Sequence, residues 1–171
     1  EEYNAVVHYV DYSNAWVTSG NDIHITNGLL HKLSKKQRVA VAAHEIGHLK
    51  AGHYYSTLGV SILTSIAFSV ANVFAPGVGY AEYLVKPVVV GGFSRPQELE
   101  ADKLGVGYLQ KAGLPPHYFM EVFQIFREES GGKSDEASYF STHPTTSERI
   151  EQIKSFYENP EPSSGASGFT R

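Results

Sequence analysis

Residues 34–52 read Ser34-Lys35-Lys36-Gln37-Arg38-Val39-Ala40-Val41-Ala42-Ala43-His44-Glu45-Ile46-Gly47-His48-Leu49-Lys50-Ala51-Gly52, and the rest of the chain is read outward from this stretch. Ser34 followed three residues later by Gln37 has capping-box spacing, a hydroxyl at the N-cap and an amide at N3. Val39, Ala42, Ala43, Ile46 and Leu49 recur at helical steps, so the spacing predicts a helix with this apolar face, ending near Gly52. Inside it lies His44-Glu45-Ile46-Gly47-His48. Histidines four apart stand one above the other on a helix, so two imidazoles converge on one point. Glu45 projects beside them, placed to take a proton from water without itself becoming a ligand. The competing reading, two surface histidines flanking a chance glutamate, does not account for the fixed triple and its apolar flanks.

Two imidazoles on one turn are an incomplete metal site, because catalytic zinc takes three protein ligands and keeps one position open. There is no cysteine, so any metal is held by histidine, carboxylate and water. A second helix is predicted from Ser94-Arg95-Pro96-Gln97, again with capping-box spacing and a proline in the first turn, to Gly113. It offers Glu98, Glu100 and Asp102. Glu98 and Asp102 share a face, whereas Glu100 points elsewhere. One of the pair can bind metal while the other accepts a histidine N–H, and spacing does not say which. His53, five residues past His48, has rotated off the ligand face and reads as a helix-end polar residue. Gly47 costs a helix interior about 1 kcal/mol relative to alanine, which suggests that another backbone passes close to it.

These two segments together, His44-Glu45-Ile46-Gly47-His48 and Ser94-Arg95-Pro96-Gln97-Glu98-Leu99-Glu100-Ala101-Asp102, resemble the M48 peptidase family. The resemblance implies that Glu98 is the third zinc ligand, that Asp102 is its outer partner, and that one Zn2+ is held per chain. Asn14-Ala15-Trp16 and Gly20-Asn21-Asp22-Ile23-His24-Ile25 are similar to the family's strand segment before the metal helix. His143-Pro144-Thr145-Thr146-Ser147-Glu148-Arg149 is like its terminal H-P-x-x-x-x-R element. The likeness is greatest to the periplasmic and mitochondrial quality-control branch. It implies a metalloendopeptidase of the bacterial periplasm or envelope membrane, acting on misfolded or membrane-associated polypeptides.

Within that resemblance His143 and Arg149 are expected to act on the oxyanion. His143 has a second reading, as a resting-state occupant of the open zinc position that leaves before substrate binds. The Ile23-His24-Ile25 run alternates apolar and polar residues as a half-buried or edge strand does. With Asn14 and Ala15 it is the expected substrate-binding strand, pairing with an extended peptide through main-chain hydrogen bonds.

The remaining organisation fits one α+β domain, a small N-terminal sheet followed by a helical body, over residues 1–157, with 158–171 as a flexible tail rich in Pro, Ser and Gly. Val6, Val7 and Val10 belong to the first strand, and Ser19-Gly20-Asn21-Asp22 to a hairpin-like turn. A short amphipathic helix is expected over Tyr118–Arg127, a polar loop over 128–138, and a last helix from Thr145 to Tyr157. Glu1 to Val10 carry two acids and no basic run, unlike a signal peptide. Net charge is −4, with 14 basic against 18 acidic residues and no basic stripe, which excludes a nucleic-acid partner. Residues 51–81 carry no formal charge, and 58–75 are mostly apolar. That segment has three readings: a helix buried in or lying across the fold, a membrane-surface contact, or a span. Two rival functions stay open at this stage. One is a latched, metal-containing chaperone-like binding module; the other is a zinc hydrolase acting on a small amide.

Overall fold

The computed structural model describes residues 2–18, 20–78, 92–129 and 139–158. The N-terminal sheet has three strands, β1 (Asn4–His8), β2 (Ala15–Val17) and β3 (Asp22–Thr26), in the order β1-β3-β2. β1 runs parallel to β3 with Val6 opposite His24, and β2 runs antiparallel to it with Trp16 opposite His24. The turn into β3 is made by Asn21 at φ 58, the left-handed conformation that asparagine tolerates. β3 is therefore the central strand, which corrects the expectation of an edge. Alternation of buried Ile23 and Ile25 with His24 reflects one covered face, not a free backbone edge.

Seven helices follow among the described residues: α1 (Asn27–Lys32), α2 (Lys35–Lys50), α3 (His53–Phe74), α4 (Arg95–Lys111), α5 (His117–Glu129), α6 (Tyr139–Thr142) and α7 (Ser147–Glu158). The Ser34–Gln37 capping box starts α2, with Gln37 Oε1 accepting from the Ser34 N–H at 2.8 Å. The same device recurs at α4, where Gln97 Oε1 accepts from the Ser94 N–H at 2.8 Å. Gly113 ends α4 at φ 69, as expected of a C′ glycine. α5 runs two residues beyond the expected Arg127. The polar loop from 130 to 138 and the tail from 159 lie outside the described residues.

α2 is the hub. On one side Val41 joins Ala15, Ile25, Leu29, Leu33, Val122, Phe126 and Tyr139, tying the sheet and α1 to α5. On the other, Ala40 and Ala43 join Val106, Leu109, Phe119, Phe123 and Ile153, tying α4, α5 and α7 together. Each large apolar side chain buried here contributes roughly 1.5–3 kcal/mol. The packed side of α2 is not the predicted one. Val39 is 42% exposed, and the buried residues are Ala40, Val41, Ala43, His44, Glu45, Gly47 and His48. Small residues and the motif itself form the covered face, so counting apolar residues selected the wrong stripe.

α2 and α4 cross closely because both carry small residues four apart, Ala43 and Gly47 on one, Ala101 and Gly105 on the other. A Cβ on Gly47 would lie 2.6 Å from the Ala101 carbonyl oxygen, and one on Gly105 would lie 3.2 Å from the Ala43 backbone. The sequence-based inference of a close backbone at Gly47 is borne out, and the crossing carries Glu98 and Asp102 up to His44 and His48.

α3 departs from the core. It is 22 residues long with mean hydropathy 1.7, long and apolar enough to cross a membrane by length and composition alone. Its most apolar window contains no buried residue, which overturns the reading of a helix buried in the fold. Leu63 is 67%, Val73 76% and Phe74 84% exposed. Val60 and Ile62, 44% and 52% exposed, lie about 200° apart around the helix, so the exposed apolar side chains are not confined to one stripe.

Candidate metal centre

His44, His48, Glu98 and His143 are all buried, and each places one ligand atom within 4.8 Å of those of the others. The two Nε2 atoms of His44 and His48 are 3.0 Å apart. Glu98 reaches both, with Oε1 3.2 Å from His48 Nε2 and Oε2 3.4 Å from His44 Nε2. His143 closes the group, its Nδ1 3.0 Å from Glu98 Oε1 and 3.3 Å from His44 Nε2.

The ring hydrogens decide whether these atoms fit a cation. His44 Nδ1 lies 2.9 Å from Asp102 Oδ1, so that nitrogen carries hydrogen and a neutral His44 presents a bare Nε2 to the cluster. A bare Nε2 on His48 at 3.0 Å, beside a carboxylate, concentrates lone pairs that repel unless a positive charge sits among them. The donor set, two or three imidazole nitrogens and one carboxylate oxygen, is that of zinc.

Titration has the same cause. Burial alone lowers His44, but Glu98 and Asp102 outweigh it and raise His44 to about 9. His48, desolvated and next to His44, is pushed down to about 2 despite its hydrogen bond with Glu98. Burial would raise Glu98, yet His44 and the hydrogen bonds from His143, His44 and His48 hold it well below the usual carboxylate range. Without a metal, the centre retains a proton in its place.

Arg149 is 1% exposed and lies behind the carboxylates. Its Nε and Nη2 donate to Asp102 at 2.7 and 2.8 Å, and Nη1 donates to the Pro144 carbonyl at 2.9 Å and also contacts Glu98. The guanidinium packs over Phe123 at 4.9 Å. These contacts correct the expectation of an oxyanion role: the guanidinium is committed to neutralising Asp102 and Glu98. His143 does face the centre, and its Nε2 is 3.4 Å from Glu45 Oε1.

Glu45 is fully buried. Tyr139 donates its phenol hydrogen to Glu45 Oε1 at 3.3 Å, whereas Oε2 has no hydrogen-bond partner among the described residues. Tyr139 also stacks on His143 with ring centroids 4.5 Å apart. Burial, then the charges of Glu45 and Glu98, push its phenol well above the usual value. No spacing singled out Tyr139 among 11 tyrosines. Phe93, stacked on His48 at 3.8 Å, was equally invisible.

The expected substrate-binding residues divide. Ile23, His24 and Ile25 use both backbone edges within the sheet, so they have no edge to offer a peptide. His24 instead joins Trp16 and His8 in a ring stack on the sheet, with His8 Nε2 2.9 Å from its Nδ1. Asn14 and Ala15 lie at the start of β2. The Thr26 N–H donates to the Asn14 carbonyl at 3.0 Å, and the Thr18 N–H to Asp22 at 3.2 Å. This alternation turns the Ala15 and Val17 backbone groups to the side of β2 where no described strand pairs. That side begins beside the centre, since the Tyr139 N–H donates to the Ser13 carbonyl at 2.8 Å.

Known proteins carry similar sequences. The chain is 24% identical over 156 residues to the metalloprotease YcaL of Escherichia coli strain K12, covering 88% of this chain and 61% of that protein. It is 28% identical over 147 residues to the metalloprotease LoiP of the same strain, covering 82% and 57%. To a putative beta-barrel assembly-enhancing protease of Vibrio cholerae it is 27% identical over 152 residues, covering 80% and 31%. The chain thus spans less than two thirds of the length of these relatives. The family model described as Peptidase family M48 matches residues 1–156, essentially the whole of the described fold, and the chain belongs to that family.

Proposed function

We propose that residues 1–157 form the catalytic domain of a zinc-dependent endopeptidase, with His44, His48 and Glu98 as metal ligands and Glu45 as the general base. The observation that carries this reading is the convergence of two imidazole Nε2 atoms and a carboxylate beside a buried glutamate with one free oxygen. A bound zinc ion supplies Lewis acidity, polarising the scissile carbonyl and making water a nucleophile near neutral pH.

The protein's own groups do the rest. Tyr139 occupies Glu45 Oε1, leaving Oε2 to take the proton of the attacking water and pass it to the leaving amine nitrogen. Asp102 holds the hydrogen on His44 Nδ1, and Arg149 keeps Asp102 and Glu98 ionised.

His143 acts as a latch in this arrangement. Its Nδ1, 3.0 Å from Glu98 Oε1 and 3.3 Å from His44 Nε2, would offer a bound zinc ion a further protein donor in a closed state. It swings away when substrate enters.

Substrates are misfolded or membrane-associated polypeptides, in the bacterial periplasm or at its membranes. Support comes from α3, whose 22 residues span about 33 Å at 1.5 Å per residue, against a hydrocarbon core of about 30 Å. It also comes from the assembly-related name of the Vibrio relative.

The test is degradation of an unfolded, casein-like protein by the zinc-loaded chain and its Glu45→Gln variant. Glu45→Gln is expected to bind zinc as the parent does and to cleave nothing, and chelator is expected to stop the parent. Cleavage retained by Glu45→Gln in a preparation free of other proteases refutes the mechanism.

A further inference from the structure

Two of the three proposed ligands are imidazoles, and each needs its remaining nitrogen held. For His44 the Asp102 carboxylate does this. For His48 the structure supplies a partner of another kind. His48 Nδ1 lies 2.9 Å from His53 Nδ1, and His53 Nε2 lies 3.3 Å from Glu100 Oε2. His53 is 5% exposed.

We propose that His53 is a positioning residue for His48, fixing its tautomer through a relay that ends on Glu100. The proposal rests on the metal reading above and adds a function for two residues outside the ligand set. Its logic is one of hydrogen direction. A His48 Nε2 that is bare toward the metal requires the ring hydrogen on Nδ1. That hydrogen can be accepted at 2.9 Å only if His53 Nδ1 is bare. A neutral His53 then carries its hydrogen on Nε2, which faces the Glu100 carboxylate. Every position in the chain is determined once the first is set.

Local backbone explains how a residue five places on comes back to the same ring. On an unbroken helix His53 would be turned about 140° from His48. The break at Gly52, with φ 69, starts α3 on a new axis and returns His53 to the His48 side. Phe93 stacks on the His48 ring at 3.8 Å and fixes its plane, so ring plane and tautomer are held by separate contacts. Glu100 sits two residues after Glu98 on the far side of α4 from the ligand, so one helix supplies both the metal carboxylate and the end of the relay.

The test measures zinc affinity by competition with a chromophoric chelator, on the full chain. His53→Leu removes the acceptor and is expected to weaken zinc 10–100-fold, the usual cost of losing such a partner. His53→Asn restores an acceptor oxygen near the Nδ1 position and is expected to recover zinc binding to within about threefold of the parent. Glu100→Gln, at a side chain 61% exposed, should not affect folding and is expected to weaken zinc by roughly threefold, as a charge-assisted link becomes a neutral one. Nitrogen-15 NMR of the zinc-loaded protein should find hydrogen on His48 Nδ1 and on His53 Nε2.

Unchanged affinity in a folded His53→Leu overturns the proposal. So does an Asn variant as weak as Leu, which would make ring packing the cause, or the opposite His53 tautomer. If His53→Leu fails to fold, the Asn variant, Glu100→Gln and the NMR tautomers decide. A parent chain that takes up no zinc sinks the metal reading itself. A parent that binds zinc with all three variants equal to it sinks the relay alone.

Discussion

Adding one methyl group at the α2–α4 crossing should disturb the metal centre without touching any ligand. In Gly47→Ala the new Cβ meets the Ala101 carbonyl oxygen at 2.6 Å and the Ala101 Cα at 3.0 Å. These are backbone atoms, so no side chain can rotate aside. Regaining ordinary contact requires the helices to part by roughly 0.8 Å. Alanine gains about 1 kcal/mol of helix propensity over glycine, and overpacking a tight core costs typically 1–3 kcal/mol. Because the clash is with backbone, the upper part of that range applies, and the net destabilisation is about 1–2 kcal/mol. The same separation moves Glu98 relative to His44 and His48. Metal sites tolerate only about 0.5 Å of misplacement, so zinc affinity should fall at least tenfold. Urea unfolding of the zinc-free protein and chelator competition measure the two effects. Gly107→Ala is the control: it lies in the same helix as Ala101, and its Cβ meets nothing within 4 Å. That variant should gain stability, by up to about 1 kcal/mol. A Gly47→Ala protein that is as stable as Gly107→Ala and keeps parental zinc affinity would refute the close-crossing argument.

Arg149→Met leaves the buried Asp102 and Glu98 without their cation and should destabilise the fold by about 3–5 kcal/mol in denaturant titration; a loss under 1 kcal/mol contradicts the role assigned to Arg149. In zinc-free protein His44 is held up to about 9 by Glu98 and Asp102 against burial, while His48, at about 2, stays neutral. Zinc uptake at pH 7 must then expel about one proton, to be counted by calorimetry in buffers of different ionisation heat. Because the folded value lies above the unfolded one, the stability that His44 lends the zinc-free fold is complete below about 6.5. It is lost as pH rises through about 9. His143→Ala should keep zinc and cleave unfolded protein faster than the parent, whereas loss of cleavage with zinc retained would assign His143 to catalysis instead of latching. Tyr139→Phe should leave zinc affinity unchanged and lower kcat, since it frees Glu45 Oε1 without removing a ligand.

Local signals in the sequence carried through where the physics is local. The Ser34–Gln37 and Ser94–Gln97 boxes, the His44–His48 pair on one turn and the shared face of Glu98 and Asp102 all depend on helix geometry over three or four residues. What eluded the sequence depends on which elements meet. β3 alternates like an edge strand, yet parallel β1 covers its second side, and nothing in Ile23-His24-Ile25 announces a partner 18 residues upstream. The apolar residues of α2 pointed to Val39, although the buried side is lined by alanine, glycine and the polar motif. Arg149 has the look of a catalytic cation, and its commitment to Asp102 appears only once α7 docks. His53 was discounted by the arithmetic of a continuous helix that Gly52 interrupts. The 58–75 segment has the composition of a core helix, and only its placement revealed that nothing described covers it.

The cation that balances Glu98 and Asp102 comes from α7, the last described helix, 47 residues after Asp102. On a ribosome adding about 5–20 residues per second, the two carboxylates are made roughly 2–10 s before their counter-charge. A nascent chain therefore already has Glu45, Glu98 and Asp102 while the pocket still lacks its closing charge. Completion of the candidate metal centre waits for the docking of α7.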